Sequence, residues 1–278
     1  MITGRDKHRG FTLIELVMVI TIIGILGVVI VPILTRPFSL FNDMQKRAAL
    51  VDRAEVALAS IARAIRQAVP NSVRVSGTAL EFIPISFAGR YPVSDVATDV
   101  DYLTPRQVDS NLSILGNVPN LSGQRLIVNP FNSAILYAGM ANSIARMVTP
   151  STASITTIDN GNQDRISITP GFRFDPSGNG SPSRRMFAAV SPQSYLCNGN
   201  QLLKFQNYTA TTSQPLDPTA APLSSAIQSV VSDGISACQF RYSTGTAQRS
   251  ALLTIDITIT EDDESVRLIQ QVHVENAS

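Results

Sequence analysis

The residues with the most distinctive chemistry stand at the head of the longest apolar run in the chain, where the sequence reads Gly10-Phe11-Thr12-Leu13-Ile14-Glu15. No residue from Leu16 to Leu34 is charged. A carboxylate in such a run costs about 2.5–3.5 kcal/mol at the centre of a bilayer and less near the interface. Taken alone, Glu15 is explained equally well by a position at headgroup depth and by a specific role.

The apolar run itself predicts a membrane-spanning helix. Its nineteen residues would form a helix about 28 Å long, close to the ~30 Å hydrocarbon core of a bilayer. An ordinary secretory signal has a shorter apolar core and an A-x-A cleavage site, and neither is present here. The leader at residues 1–10 has a net charge of +2, so we expect the N-terminus in the cytoplasm and everything after about Arg36 outside the inner membrane.

A basic leader that ends in glycine, with Phe11 next and Glu15 four residues later, resembles the processing signal of type IV prepilins and type II secretion pseudopilins. The resemblance implies that a prepilin peptidase cuts between Gly10 and Phe11 and methylates the new amine of Phe11. It also implies that Glu15 pairs with the N-terminal amine of a neighbouring subunit, which would neutralise a carboxylate in a medium of low dielectric.

Two further stretches resemble the minor pilins of the mannose-sensitive haemagglutinin (MSHA) pilus, which are similar to J-type pseudopilins of type II secretion. They are Arg63–Val75, and the C-terminal run from Cys238 to Asn276. The resemblance implies a non-enzymatic minor pilin that initiates or caps the filament at its tip, with other minor and major pilins as partners. The alternatives are a type II secretion pseudopilin and a membrane-anchored periplasmic hydrolase or binding protein.

We expect an α+β fold, in which a long N-terminal helix packs on an antiparallel β domain. The predicted organisation is a cleaved leader (1–10), a transmembrane and assembly helix (11–34), an amphipathic periplasmic helix (35–70) and a β-rich pilin-like domain (71–278). Pro32 and Pro37 are expected to interrupt the helix between its two parts. The second part has apolar residues at 4-4-3-4-4 spacing, which predicts one buried face; they are Leu50, Ala54, Leu58, Ile61, Ile65 and Val69.

The remainder reads as short strands with long loops. The clearest strands are the last two, which alternate apolar and polar residues and are joined by an acidic turn at Glu261–Glu264. Residues 86–124 are Pro/Gly-rich and predict extended loop with short strands at most, and Asn207–Ser225 predicts a flexible loop. The candidate strands are Leu80–Ile85, Arg125–Val128, Ala134–Ala138, Arg165–Thr169, Arg185–Val190, Gln201–Phe205, Ile235–Tyr242, Leu253–Ile259 and Val266–Val274.

The two cysteines, Cys197 and Cys238, each fall in or beside a β segment. In an oxidising periplasm such a pair predicts a disulfide. Two free thiols remain an alternative. A metal site is a further alternative, although two cysteines and one mature-chain histidine supply fewer ligands than the four that zinc prefers.

Catalytic signatures are sparse in this sequence. His8 leaves with the leader, and His273 lies on the last strand without a nucleophile motif, so we expect no enzymatic activity. The segment from Asp175 to Gly180 matches half of a calcium loop, but Met186 stands at the twelfth position, where such a loop needs a carboxylate. We therefore expect no cofactor and no bound metal, and the net charge of +1 gives no reason to expect nucleic acid as a partner.

Overall fold

The structure is a computed structural model that describes residues 10–92, 101–104, 107–142, 146–159, 164–174, 181–245, 250–262 and 264–275, with the backbone alone at 31–40. The chain divides into two units, Met1–Ala49 and Leu50–Ser278. The first unit contains the apolar helix, and the second contains antiparallel β sheets. The predicted α+β class is confirmed.

The first element, α1 (Leu13–Arg66), is one continuous helix. The expected interruption at Pro32 and Pro37 was wrong. A proline removes one backbone donor and strains the preceding turn, at a cost of about 3 kcal/mol. The hydrogen bonds on either side can still continue the helix, and prolines are tolerated in membrane helices for this reason.

The second half of α1 presents the predicted buried face. The five of these apolar residues that lie in α1, from Leu50 to Ile65, are at most 5% exposed. Val69 is also buried, at 0%, but it lies beyond the end of the helix at Arg66, so the predicted helix to residue 70 was too long. These residues pack with small residues such as Ala57 and Ala62 in the core clusters of the β domain. This buried face stabilises the second half of α1, because helical stability in proteins comes mainly from tertiary contacts of an amphipathic face.

Fourteen strands and one further helix follow within the described residues. In chain order they are β1 (Arg74–Ser76), β2 (Ala79–Phe82), β3 (Phe87–Arg90), β4 (Asp109–Ser113), β5 (Arg125–Val128), α2 (Ser133–Met140), β6 (Ser154–Ile158), β7 (Arg165–Phe172), β8 (Arg185–Ala189), β9 (Gln193–Asn198), β10 (Gln201–Gln206), β11 (Ile227–Asp233), β12 (Ile235–Ser243), β13 (Ala251–Glu261) and β14 (Glu264–Val274).

These strands form four antiparallel sheets in the described part of the chain. Their orders are β1-β2-β9-β10-β11, β12-β13-β14, β3-β8-β5 and β4-β7-β6. The first two sheets share one hydrophobic core with the second half of α1. The other two sheets contribute to a separate cluster that includes Leu112, Ile166 and Phe174.

The last hairpin matches its prediction closely. β13 and β14 pair without a register shift from Ala251–Val274 to Glu261–Glu264, so the acidic segment does form the turn. Four alternating residues of β13, beginning at Leu253 and ending at Ile259, are fully buried. Arg53 of α1 contacts this turn, since its guanidinium lies 2.9 Å from Glu261 Oε2.

The predicted strand at Ala134–Ala138 was wrong, because these residues lie in α2. A short apolar run does not by its period alone distinguish a strand from a buried helix. The missed signal is Asn132, whose side-chain oxygen accepts a hydrogen bond from the Ile135 amide at 3.1 Å. Asparagine is a preferred N-cap residue, and this bond satisfies one donor of the first helical turn.

Two segments, 86–124 and 207–225, were predicted to be loops. Short strands do occur within 86–124, at β3 and β4, as expected. The segment Asn207–Ser225 is irregular apart from a single 3₁₀ turn at Leu223–Ser225. It is also anchored near its start, because Arg74 donates hydrogen bonds to the carbonyl oxygens of Thr211, Thr212 and Ser213.

Candidate functional site

The N-terminal turn of α1 places Gly10, Phe11, Thr12 and Glu15 together at the start of the described chain. Phe11 is 77% exposed and precedes the first helical residue, Leu13. A side chain on Gly10 would meet nothing within 4 Å among the described residues, and the φ of Gly10 does not lie in the left-handed region. The fold therefore gives no reason of its own for a glycine at this position. The leader, including His8, lies outside the described residues.

Thr12 caps this helix. Its hydroxyl oxygen accepts a hydrogen bond from the Glu15 amide at 3.3 Å, and its carbonyl accepts one from the Leu16 amide at 3.2 Å. The sequence Thr-x-x-Glu is that of a capping box, in which the glutamate also suits the positive end of the helix dipole. Sequence reasoning missed this second role for Glu15, although the spacing of Thr12 and Glu15 carries the signal.

Glu15 is exposed and has no cationic partner within the described part of the chain. Its carboxylate is thus available to a group from outside the chain. The structure places it one turn from Phe11, whose amine the predicted cleavage would create. Both predicted site residues accordingly lie on the same helix end.

The helix behind them is apolar on all sides. Within the described residues, Leu13–Ile30 is the one segment long and apolar enough to cross a membrane, and none of it is buried within the chain. Leu13, Ile25 and Val28 are between 67% and 82% exposed. Contiguous apolar surface of this size requires a lipid or protein environment. The segment fits a single-pass membrane anchor.

The two cysteines are joined in the structure. Cys197 of β9 and Cys238 of β12 form a disulfide with a Cα–Cα distance of 6.3 Å and 41 residues of sequence separation. The bond connects the five-stranded sheet to the β12-β13-β14 sheet. A backbone hydrogen bond from the Phe240 amide to the Gly77 carbonyl, at 2.9 Å, joins the same two sheets nearby.

A buried polar network that the sequence analysis missed lies at the β1–β2 hairpin. The register pairs Arg74 with Glu81, and the guanidinium contacts the carboxylate of Glu81, which is fully buried. The Tyr208 hydroxyl donates to the other carboxylate oxygen at 2.9 Å. Burial raises the pKa of Glu81, against the opposing effects of Arg74 and Tyr208. Gly77 at positive φ in a Ser-Gly-Thr turn was the available hairpin signal.

Arg74 connects this network to two further elements. Its guanidinium carbon lies 3.6 Å from the ring centroid of Tyr137 in α2, a cation–π arrangement. Its remaining donors reach the carbonyls of Thr211–Ser213. Tyr208 in turn contacts the Ser194 hydroxyl at 2.5 Å. The network fixes the start of the 207–225 loop against the sheet, which is a structural task.

The residues considered for catalysis or metal binding are dispersed. His273 is exposed on β14, opposite Leu252. Within the described ranges, no group of three His, Cys, Asp or Glu side chains could hold a metal ion. Glu261 of the acidic turn is engaged by Arg53. The calcium-like segment Asp175–Gly180 lies outside the described residues.

Comparison with known families gives a match at the head of the chain. The model of the prokaryotic N-terminal methylation motif matches residues 5–31. No curated protein and no solved structure matches the chain. The matched residues include the Gly10-Phe11 junction, Glu15 and most of the apolar segment.

This motif supports a place in the type IV prepilin and pseudopilin superfamily. It points to a structural pilin and away from an enzyme. It is also consistent with processing by a prepilin peptidase and with association with other pilins. The match covers the head of the chain alone, so it says nothing of the β domain.

Proposed function

We propose that the protein is a minor pilin of an MSHA-type type IV pilus, most like MshO, which initiates or caps the filament at its tip. The observation that carries the proposal is the methylation motif at residues 5–31, joined to an apolar helix segment that the chain leaves unburied. The resemblance of Arg63–Val75 and of the run from Cys238 to Asn276 to MSHA minor pilins supports the finer assignment.

Processing prepares the subunit for assembly in this proposal. The prepilin peptidase cuts between Gly10 and Phe11 on the cytoplasmic side of the inner membrane and methylates the Phe11 amine. A glycine that the fold does not require suits recognition by the peptidase, since it offers no side chain to obstruct it. Cleavage removes the basic leader and leaves the apolar helix as the anchor.

Glu15 then recruits the subunit to the filament. Its carboxylate has no cation of its own within the described residues, and an unpaired charge in low dielectric is costly. Pairing with the N-terminal amine of a neighbouring subunit would neutralise both groups. The carboxylate of Glu15 and the N-terminal amine are therefore both neutralised only in the assembled filament.

The remainder of the chain lies in the periplasm before assembly and at the cell surface within the pilus. A disulfide between Cys197 and Cys238 suits an oxidising compartment. The β-rich part begins after Arg66 and contains more than 200 residues. Such bulk is large for repetitive packing in a thin fibre and suits a tip position, where a subunit has fewer neighbours.

Deletion of the gene tests the proposal against its nearest alternative, a type II secretion pseudopilin. We expect surface pili to disappear while the major pilin still accumulates in the inner membrane, and secretion of folded exoproteins to continue. Loss of secretion with normal piliation would assign the protein to the secretion system. Restoration by the full-length gene controls for effects on neighbouring genes.

A further inference from the structure

A groove of about 520 Å³ lies between the second half of α1 and the five-stranded sheet. Val56 and Arg63 line it from the helix, and Phe82, Tyr195 and Lys204 line it from β2, β9 and β10. All of these residues belong to the unit Leu50–Ser278. The groove is therefore a property of the β domain and its own stretch of helix.

The floor of the groove is aromatic. The rings of Phe82 and Tyr195 stack with their centroids 6.4 Å apart and an interplanar angle of 12°. Tyr195 is 0% exposed, and burial raises the pKa of its hydroxyl, with the Ser60 side chain offsetting part of that rise.

The charged groups of the groove are all cationic. None of its lining residues within the described ranges is acidic. Lys204 lies over the Tyr195 ring, with its ammonium 5.9 Å from the ring centroid. Arg63 is exposed, and neither it nor Lys204 is paired with a carboxylate among the described residues. Arg53, Arg74 and Arg267, by contrast, each contact an acidic side chain.

We propose that this groove docks an acidic segment of another pilin subunit, with a carboxylate between Arg63 and Lys204 and an adjacent apolar side chain against Val56 and the aromatic floor. The proposal rests on the proposed function for the class of partner. The cationic lining and the aromatic floor of the groove are independent of that function. Val56 supplies the apolar contact, since it is 67% exposed on the helix wall.

The test uses the full-length protein in piliated cells. The photoreactive residue p-benzoylphenylalanine replaces Val56, and irradiation precedes membrane solubilisation and mass-spectrometric mapping. We expect one discrete crosslinked product with another pilin subunit, mapped to a peptide that contains Asp or Glu. In the Arg63→Glu, Lys204→Glu double variant we expect its yield to fall at least about fivefold, because two attractive charges become repulsive.

Two controls make the result specific. Arg66→Glu changes an exposed charge on the same helix that does not line the groove, and should leave the yield within about twofold. Reversal of the mapped acidic residue to Lys in the partner should restore the yield in the Arg63→Glu, Lys204→Glu variant. Folding of each variant is verified by the Cys197–Cys238 disulfide. Gel electrophoresis without reductant shows, from the mobility of the variant, whether this disulfide has formed.

The proposal is overturned by any of four outcomes. These are no crosslink at Val56 in cells that assemble pili, a product insensitive to the double charge reversal, a mapped peptide without an acidic residue, and a product with a second copy of this chain. In each case gene deletion still decides the proposed function separately. If the protein supports piliation without a contact in the groove, the proposed function stands and the proposed docking site is rejected.

Discussion

Glu15 has two proposed tasks at the end of α1, since it stands in a capping box and also carries a charge that has no cationic partner among the described residues. The backbone bond from the Glu15 amide to the Thr12 hydroxyl survives any change of the glutamate side chain. A glutamine at position 15 can still serve a capping box, but it cannot form an ion pair. The two tasks are therefore separable by substitution.

We predict that Glu15→Gln leaves cleavage and membrane level normal and reduces crosslinking of the subunit to its pilin neighbours. Thr12→Ala, the matched control, removes the cap and keeps the charge. It costs about 1 kcal/mol of helix stability and should leave crosslinking near the wild-type level. Equal losses in the two variants would mean that Glu15 acts through the helix end and not through a subunit contact.

The pair of Arg74 and Glu81 provides a stability prediction. Removal of one partner from a buried ion pair costs about 3–5 kcal/mol, and we expect Arg74→Met to reach the lower end of this range. Glu81→Gln should cost less, because burial already raises the Glu81 pKa and Arg74 keeps its carbonyl partners. Denaturant unfolding of the detergent-solubilised protein measures both variants. A larger loss in Glu81→Gln would contradict this account of the network.

Asp109 predicts a dependence of stability on pH. Burial raises its pKa from 3.8 to about 6, with Asp101 adding repulsion and the Thr104 amide opposing the rise. The native state then binds more protons than the unfolded state between these two values, so stability falls as pH rises from about 4 to 6. A pKa shift of this size in a fully buried group would change the free energy of unfolding by about 3 kcal/mol. Because Asp109 is partly exposed, we expect a change of about 1 kcal/mol.

Asp109→Asn should therefore be more stable than the wild type by about 1 kcal/mol at pH 7.5, with the difference vanishing below pH 4. Unfolding curves at several pH values check the prediction. A gain of the same size at pH 3.5 would show that the carboxylate charge is not its cause.

The elements with regular periods were predictable from the sequence, and those fixed by single side chains were not. The buried face of α1 from Leu50 to Ile65 repeats over several helical turns, and the alternation of β13 repeats over several residues. α2 depends on one N-cap at Asn132, and the β1–β2 hairpin on one turn at Gly77. A short apolar run carries little periodic signal, so such local determinants decide its structure.

The disulfide acts at the scale of elements because it joins two sheets. Closing a loop of 41 residues contributes about 4 kcal/mol in the chain-entropy model. We predict that the Cys197→Ala, Cys238→Ala double variant loses about 3–4 kcal/mol of unfolding free energy, measured by denaturant titration. Peptide mapping without reductant should show the two cysteines linked in the wild type. Free alkylation of both thiols in native protein would overturn the linkage.

At the scale of the whole molecule, the chain combines an apolar helix segment that it does not bury with a β domain that has its own core. The candidate site at the helix end was predictable from the residues at its head, because the signal Gly10-Phe11 with Glu15 is local. The groove was not predictable, since its lining comes from α1, β2, β9 and β10. Only the fold brings those segments together.

The central claim is that the chain is a processed prepilin, and the mass of its mature N-terminal peptide tests that claim most directly. We predict a chain that begins at N-methylated Phe11 in protein purified from the membrane of the native cell. Gly10→Val should leave the leader attached, because the fold has room for a side chain there and the proposed recognition by the peptidase depends on the glycine. A mature wild-type chain that begins at Met1, or downstream of Leu34, would contradict the account.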